Sequence, residues 1–324
     1  MTFDQLMTQQ QKQISLTGFL VTLSGAIFFS TKAIFVKLCF HATHVDAITL
    51  LSLRMLFSLP FYLVIGWIEG RKEGKTNVTA RQWFFIFLMG IFGYYLSSLF
   101  DFIGLQFISA GLERLILFLY PTFAVLINTF WFKTKLSKTQ FIALALTYAG
   151  IGIAYLGEMK LDTSNPNFYY GTFMIFLCAV TYSFYLVGTG RLVNNVGATR
   201  YTVYAMLFAT TGIFVHFLST KTIAGIEFTP TLVYYSAALA IIATVLPSFM
   251  MSYGMKSIGS NNVAIITSIG PVSTIVQAHF ILGEKIIALQ LIGTLLVIVG
   301  VILIGRQSKK ISDAAKTIVT EVAN

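Results

Sequence analysis

Charge is scarce in this chain. Its 22 basic and 12 acidic side chains make up 10% of 324 residues, too few to clothe a water-soluble domain of that size. Cysteine is nearly absent: Cys39 and Cys178 cannot build a disulfide framework or a four-cysteine zinc site, and Cys178 falls inside an apolar run as a small packing residue. Neither G-x-S-x-G nor H-E-x-x-H occurs, so enzyme chemistry has no support and no cofactor is expected. GRKEGKT, from Gly70 to Thr76, is one residue short of a phosphate loop and follows no strand. HATHVD, from His41 to Asp46, has two histidines and an aspartate but no further ligand at metal spacing, so a solvated turn is expected and no metal site.

Apolar residues are what the chain has in plenty. They form 56% of it, with 30 Phe and a mean hydropathy of +0.79. Runs of about 20 apolar residues, enough to cross a hydrocarbon core of about 30 Å, recur ten times. They lie near 15–38, 46–68, 83–101, 110–132, 139–157, 170–188, 201–219, 232–252, 262–282 and 286–304. Period-two alternation is missing and the runs are too long for barrel strands, which predicts an all-α integral membrane protein of ten transmembrane helices. The first fourteen residues are polar and no A-x-A cleavage site follows the first run, so that run is expected to remain as an anchor.

The basic residues are unevenly spread. With the amino terminus inside, fifteen Lys and Arg fall in cytoplasmic segments against four outside, which predicts both termini in the cytoplasm. The net charge of +10 therefore reflects orientation in a bilayer and not a nucleic-acid partner. The tail from Arg306 is basic at its start, as expected beside an anionic leaflet. Asn77 to Thr79 fits a glycosylation sequon but faces the cytoplasm in this arrangement.

The sequence also repeats itself. A shift of 150 brings Gly104, Pro121, Gln140 and Gly150 onto Gly254, Pro271, Gln290 and Gly300, and a shift of 153 sets Gly18, Ala26 and Ser30 on Gly171, Ala179 and Ser183. Each half holds five spans. Because five is odd, the halves are expected to be inverted, an arrangement found in secondary transporters. Pro121 and Pro271 would loosen the fourth and ninth helices at matching points, which marks the expected binding region.

Five charges lie within spans: Lys32, Arg54, Asp101, Glu113 and Arg114. A charge at mid-membrane costs about 3 kcal/mol on insertion scales, so these need partners or water. Glu113 and Arg114 are adjacent and diverge by about 100°, so their partners must come from other helices. The expected pairs are Glu113 with Lys32 or Arg54, and Arg114 with Asp101. Three cations against two anions suit a substrate carboxylate or phosphate, and a desolvated glutamate suits proton carriage; an external gate or vestibule of ion pairs is the other reading. Only one repeat has the pair, because Val263 and Ala264 stand at the matching positions. Tyr182, Tyr185, Gln277 and His279 are the second half's candidates for polar contacts.

The inverted five-plus-five repeat, the arginine in LSLRMLF (Arg54), the paired prolines and LGEK (Leu282 to Lys285) together resemble the drug/metabolite transporter superfamily, specifically its EamA-type ten-helix family, over residues 15 to 305. The resemblance implies export or exchange of small metabolites, amino acids among them, through a central cavity enclosed by both halves. Lys133 and Thr134 stand where the second half has Gly283 and Glu284, a departure that implies different contacts at that end. The expected organisation is a cytoplasmic segment (1–14), a first repeat (15–157), an external linker (158–169), a second repeat (170–305) and a basic cytoplasmic tail (306–324). The expected function is alternating-access export of a small polar or zwitterionic metabolite across the cytoplasmic membrane, with protons as a coupling partner. Organic-anion exchange and a non-transporting receptor or scaffold are the alternatives, and the oligomeric state is left open.

Overall fold

In a computed structural model, the described residues are 16–71, 78–132, 138–161, 165–258, 263, 266–267, 269–300 and 302–303. Outside them lie the amino-terminal segment, most of GRKEGKT, Asn77, the departure at Lys133 and Thr134, Ala264 and the basic tail. The described residues fold into helices α1 (Leu16–Thr43), α2 (Ala47–Arg71), α3 (Ala80–Leu105), α4 (Ala110–Leu117, then Tyr120–Phe132) and α5 (Lys138–Leu161). There follow α6 (Phe168–Val196), α7 (Ala198–Thr220), α8 (Pro230–Ala240, Ile241–Val245 and Leu246–Ile258), α9 (Gly270–Leu282) and α10 (Ala288–Gly300). Seven are long and apolar enough to cross a membrane, and α5, α9 and α10 supply shorter apolar stretches.

Local chemistry starts these helices where it does. Asp46 precedes α2 and accepts from Thr49 N at 3.1 Å; Thr79 and Gln82 form a reciprocal capping box on α3; Ser109 Oγ accepts from Leu112 N at the start of α4. The third helix runs to Leu105, so Asp101 lies a turn inside it and does not close it as expected.

The bundle repeats its own contacts. The packing of α8 on α1 is matched by α3 on α6, and that of α9 on α1 by α4 on α6, while α2 packs on α7. Where α5 meets α10, a Cβ at Gly150 would sit 2.6 Å from the Gly293 carbonyl, so the backbones approach more closely than side chains would permit. Large apolar side chains such as Phe130, Trp131 and Phe280 face outward, leaving the surface apolar and the polar residues inside.

Candidate functional site

Two of the helices are wound too loosely at corresponding positions. A π-helical turn interrupts α3 at Ile91–Leu96 and another interrupts α8 at Ile241–Val245, 150 residues on. Such turns re-aim the side chains around them and recur at functional sites. Here Gly93 and Tyr94 of the first, and Ala243 and Thr244 of the second, face each other across a cavity of about 250 Å³ at the centre of the bundle.

The break in α4 borders the same space through Leu117, Phe118 and Tyr120, and α9 begins with a matching proline. Both prolines sit in the first turn of a helix, Pro121 after Tyr120 where α4 resumes and Pro271 after Gly270 where α9 begins. The carbonyl before each proline receives a serine hydroxyl from the opposite half: Ser183 Oγ lies 2.9 Å from Tyr120 O, and Ser30 Oγ lies 3.3 Å from Gly270 O. The paired bonds join the halves at the loosened points.

Four of the five expected charges line the cavity: Lys32, Arg54, Asp101 and Arg114. Glu113 stands behind them, fully buried. Lys32 Nζ lies 2.7 Å from Asp101 Oδ2 and 3.7 Å from Glu113 Oε1, so one ammonium serves two carboxylates. Neither Glu113 oxygen has a hydrogen-bond partner among the described residues.

The expected Glu113–Lys32 contact is present, and the expected Arg114–Asp101 pair is not. With Glu113 turned toward α1, the helical step carries Arg114 away from Asp101. Its guanidinium carbon instead lies 5.2 Å from the Phe29 ring centroid and 5.6 Å from that of Phe118. It rests against Gly270, where a Cβ would come within 2.8 Å of Arg114 Nη2. Arg54 donates to Ser98 Oγ at 2.9 Å and lies 4.9 Å from the Phe102 ring.

Of the second-half candidates, Tyr182 lines the cavity. Tyr185 stands one layer back, its hydroxyl 2.9 Å from that of Tyr94. Gln277 and His279 lie elsewhere: Gln277 donates to Ser273 Oγ at 2.8 Å, and exposed His279 bonds the Glu284 carbonyl through Nδ1 at 2.9 Å. The proline restart and π turn of α9 set their direction, which helical counting from Pro271 does not supply. Sequence reasoning missed Phe29, Tyr94, Ser98 and Tyr120; the repeat had already aligned Ser30 with Ser183, and that was the available signal for the serine bonds.

The LGEK motif has a structural place outside the cavity. Glu284 accepts from Ala110 N at 3.0 Å and Gly111 N at 3.4 Å at the start of α4, and lies 3.8 Å from Lys37 Nζ. A carboxylate there meets the positive end of the helix that carries Glu113 and Arg114.

Comparison with known proteins agrees with this architecture. The model of the EamA-like transporter family matches residues 16–156 and again 169–306, the two halves of the chain. An uncharacterized transporter of Bacillus subtilis (strain 168), YcbK, is 32% identical over 291 residues, 85% of this chain and 88% of the relative. An uncharacterized transporter of Archaeoglobus fulgidus is 21% identical over 89% of this chain and 97% of its own length. A crystal structure sharing 16% identity superposes with a TM-score of 0.62 over 91% of this chain and 98% of that one, which shows the common fold. With both halves matched, the chain belongs to the EamA-like transporter family and is a multi-pass membrane transporter, not an enzyme.

Proposed function

We propose that this transporter is a secondary carrier that moves a small polar or zwitterionic metabolite out of the cell across the cytoplasmic membrane by alternating access, in exchange for protons. The observation that carries the reading is the central cavity between duplicated halves, lined by buried charges and by the matching π turns of α3 and α8. Antiparallel halves, with both termini in the cytoplasm, would let the cavity open to either side by rocking one half against the other.

Proton coupling is assigned to the Lys32, Asp101 and Glu113 cluster. Asp101 and Glu113 compete for one ammonium, and a proton on one of the two carboxylates relieves that competition. Glu113 is the carboxylate that takes no part in lining the cavity and lies farther from the ammonium, 3.7 Å against 2.7 Å for Asp101, which suits it to hold the proton while substrate occupies the cavity. A purely gating role for the cluster is less well supported, because four of the five charges face the central space.

Purified protein in proteoliposomes, given a metabolite panel and an imposed pH gradient, tests the reading. Wild type should show gradient-driven flux, and Glu113→Gln should lose at least about tenfold of it while retaining substrate counterflow. Gradient-driven flux that survives Glu113→Gln would sink the coupling role.

A further inference from the structure

Charge around the cavity is not balanced residue by residue. Lys32 is committed to Asp101 and Glu113, and no acidic side chain faces Arg54 or Arg114 within ion-pair distance among the described residues. The acids that fall outside the described residues are Asp4, Glu73, Asp162, Asp313 and Glu321, and in the sequence none of them lies within an apolar run. Arg54 and Arg114 are 4% and 6% exposed, and the Nε of each is buried without a hydrogen-bond partner among the described residues. Arg54 uses Nη2 on Ser98, whereas among the described residues Arg114 meets the ring faces of Phe29 and Phe118 and the Gly270 backbone. A buried donor left unmade costs the full desolvation of that group, so these forks are poised for an acceptor that the described residues do not supply.

We infer, on the reading that this cavity is the transport site, that the substrate carries a carboxylate seated between Arg54 and Arg114. A guanidinium fork matches a carboxylate in two parallel bonds, and the rings beside each fork hold its plane. The rest of the wall is largely apolar, with Phe29, Leu117, Phe118, Met206, Ala243 and Met251, so the carboxylate belongs to an organic body and not to a bare inorganic anion. At about 250 Å³ the space is smaller than drug-sized pockets of roughly 300–1,000 Å³, which limits that body to a small metabolite. Free organic acids and α-amino acids both present this chemistry. Tyr120 and Tyr182, which line the same cavity, are the groups an amino substituent would meet.

Thermal unfolding of the full-length purified protein in detergent provides the test, with three pairs of probes: benzoate and benzamide, succinate and succinamide, leucine and leucinamide. At least one acid should raise the midpoint while its amide does not; benzoate or succinate then marks an organic acid, and leucine an amino acid. Arg114→Gln should weaken that acid about ten- to hundredfold, with Arg114→Lys falling between. Equal shifts by acid and amide in the wild type, no shift by any acid, or a larger shift by inorganic phosphate would overturn the inference without reference to any variant. Proteoliposome flux separates the two readings: movement of neutral solutes alone leaves transport standing and removes the carboxylate, whereas acid binding with no movement of any solute does the reverse.

Discussion

Lys32 shows how a single side chain sets the electrostatics of its surroundings. By holding Asp101 and Glu113 together it leaves both guanidiniums of the cavity without an ion pair among the described residues, so its reach decides which charges remain for a ligand. Asp46 shows the opposite case, a charge spent entirely on structure. Burial would raise its pKa, yet two hydrogen bonds from Thr49 and the Lys221 ammonium 3.2 Å away outweigh that and hold it below the ordinary 3.8. A depressed carboxylate stabilises the fold above its unfolded pKa and loses that contribution as pH falls through the lower folded value. Asp46→Ala should therefore cost about 1 kcal/mol at neutral pH, a figure kept small because the ion pair is two-fifths exposed. In thermal melts the gap between variant and wild type should be constant from pH 7 to about pH 5 and close below pH 3.8. A gap that widened on acidification would contradict this assignment. The identity of the buried charges was legible in the sequence because charge within an apolar run is costly and therefore conspicuous. Their pairing was not, since Asp101 chose Lys32 over Arg114 through helix rotations that hydropathy does not encode.

Among the elements, the interrupted helices matter most. Proline removes an amide and a π turn widens the ladder, so α3, α4, α8 and α9 all carry weak points, and those of α3 and α8 lie on the cavity itself. The serine bonds offset this weakness at Tyr120 and Gly270. Each serine also reaches its own helix, Ser183 to Ala179 O at 2.5 Å and Ser30 to Ala26 O at 2.9 Å, so one hydroxyl proton is shared between two carbonyls. Losing the interhelical share leaves a carbonyl that its own helix can still serve. Ser30→Ala and Ser183→Ala should then each destabilise by about 1 kcal/mol, and the double variant by nearly the sum, because the two bonds share no partner. Denaturation midpoints of the four proteins check this; a double variant no worse than one single variant would mean that the bonds act as one unit. The proline register announced the α4 and α9 breaks in advance. The π turns left no comparable mark, because IFGYYL and IIATV read as ordinary apolar helix and only packing reveals the extra residue per turn.

On the scale of the whole molecule, the duplicated halves exchange equivalent contacts: α8 on α1 against α3 on α6, α9 on α1 against α4 on α6, Ser30 against Ser183. Such reciprocity is what a two-fold relation between similar units produces, and the sequence carried it as shifts of 150 and 153 residues. Chemistry departs from the symmetry. Glu113 and Arg114 occur in one half, while Glu284 of the other half caps the helix that bears them, so each half completes a part of the site that its copy lacks. On the proposed topology, five spans per half would put the segment around Asn165 on the side of the membrane opposite both termini, and the fifteen-to-four division of basic residues would make that side the outside. Alkaline phosphatase fused after Asn165 should thus be active and its counterpart fused after Asn324 inactive, with green fluorescent protein fusions giving the reverse. Phosphatase activity at both sites, or at neither, would require an even number of crossings between them, and two parallel halves could not rock about a shared cavity in the manner proposed.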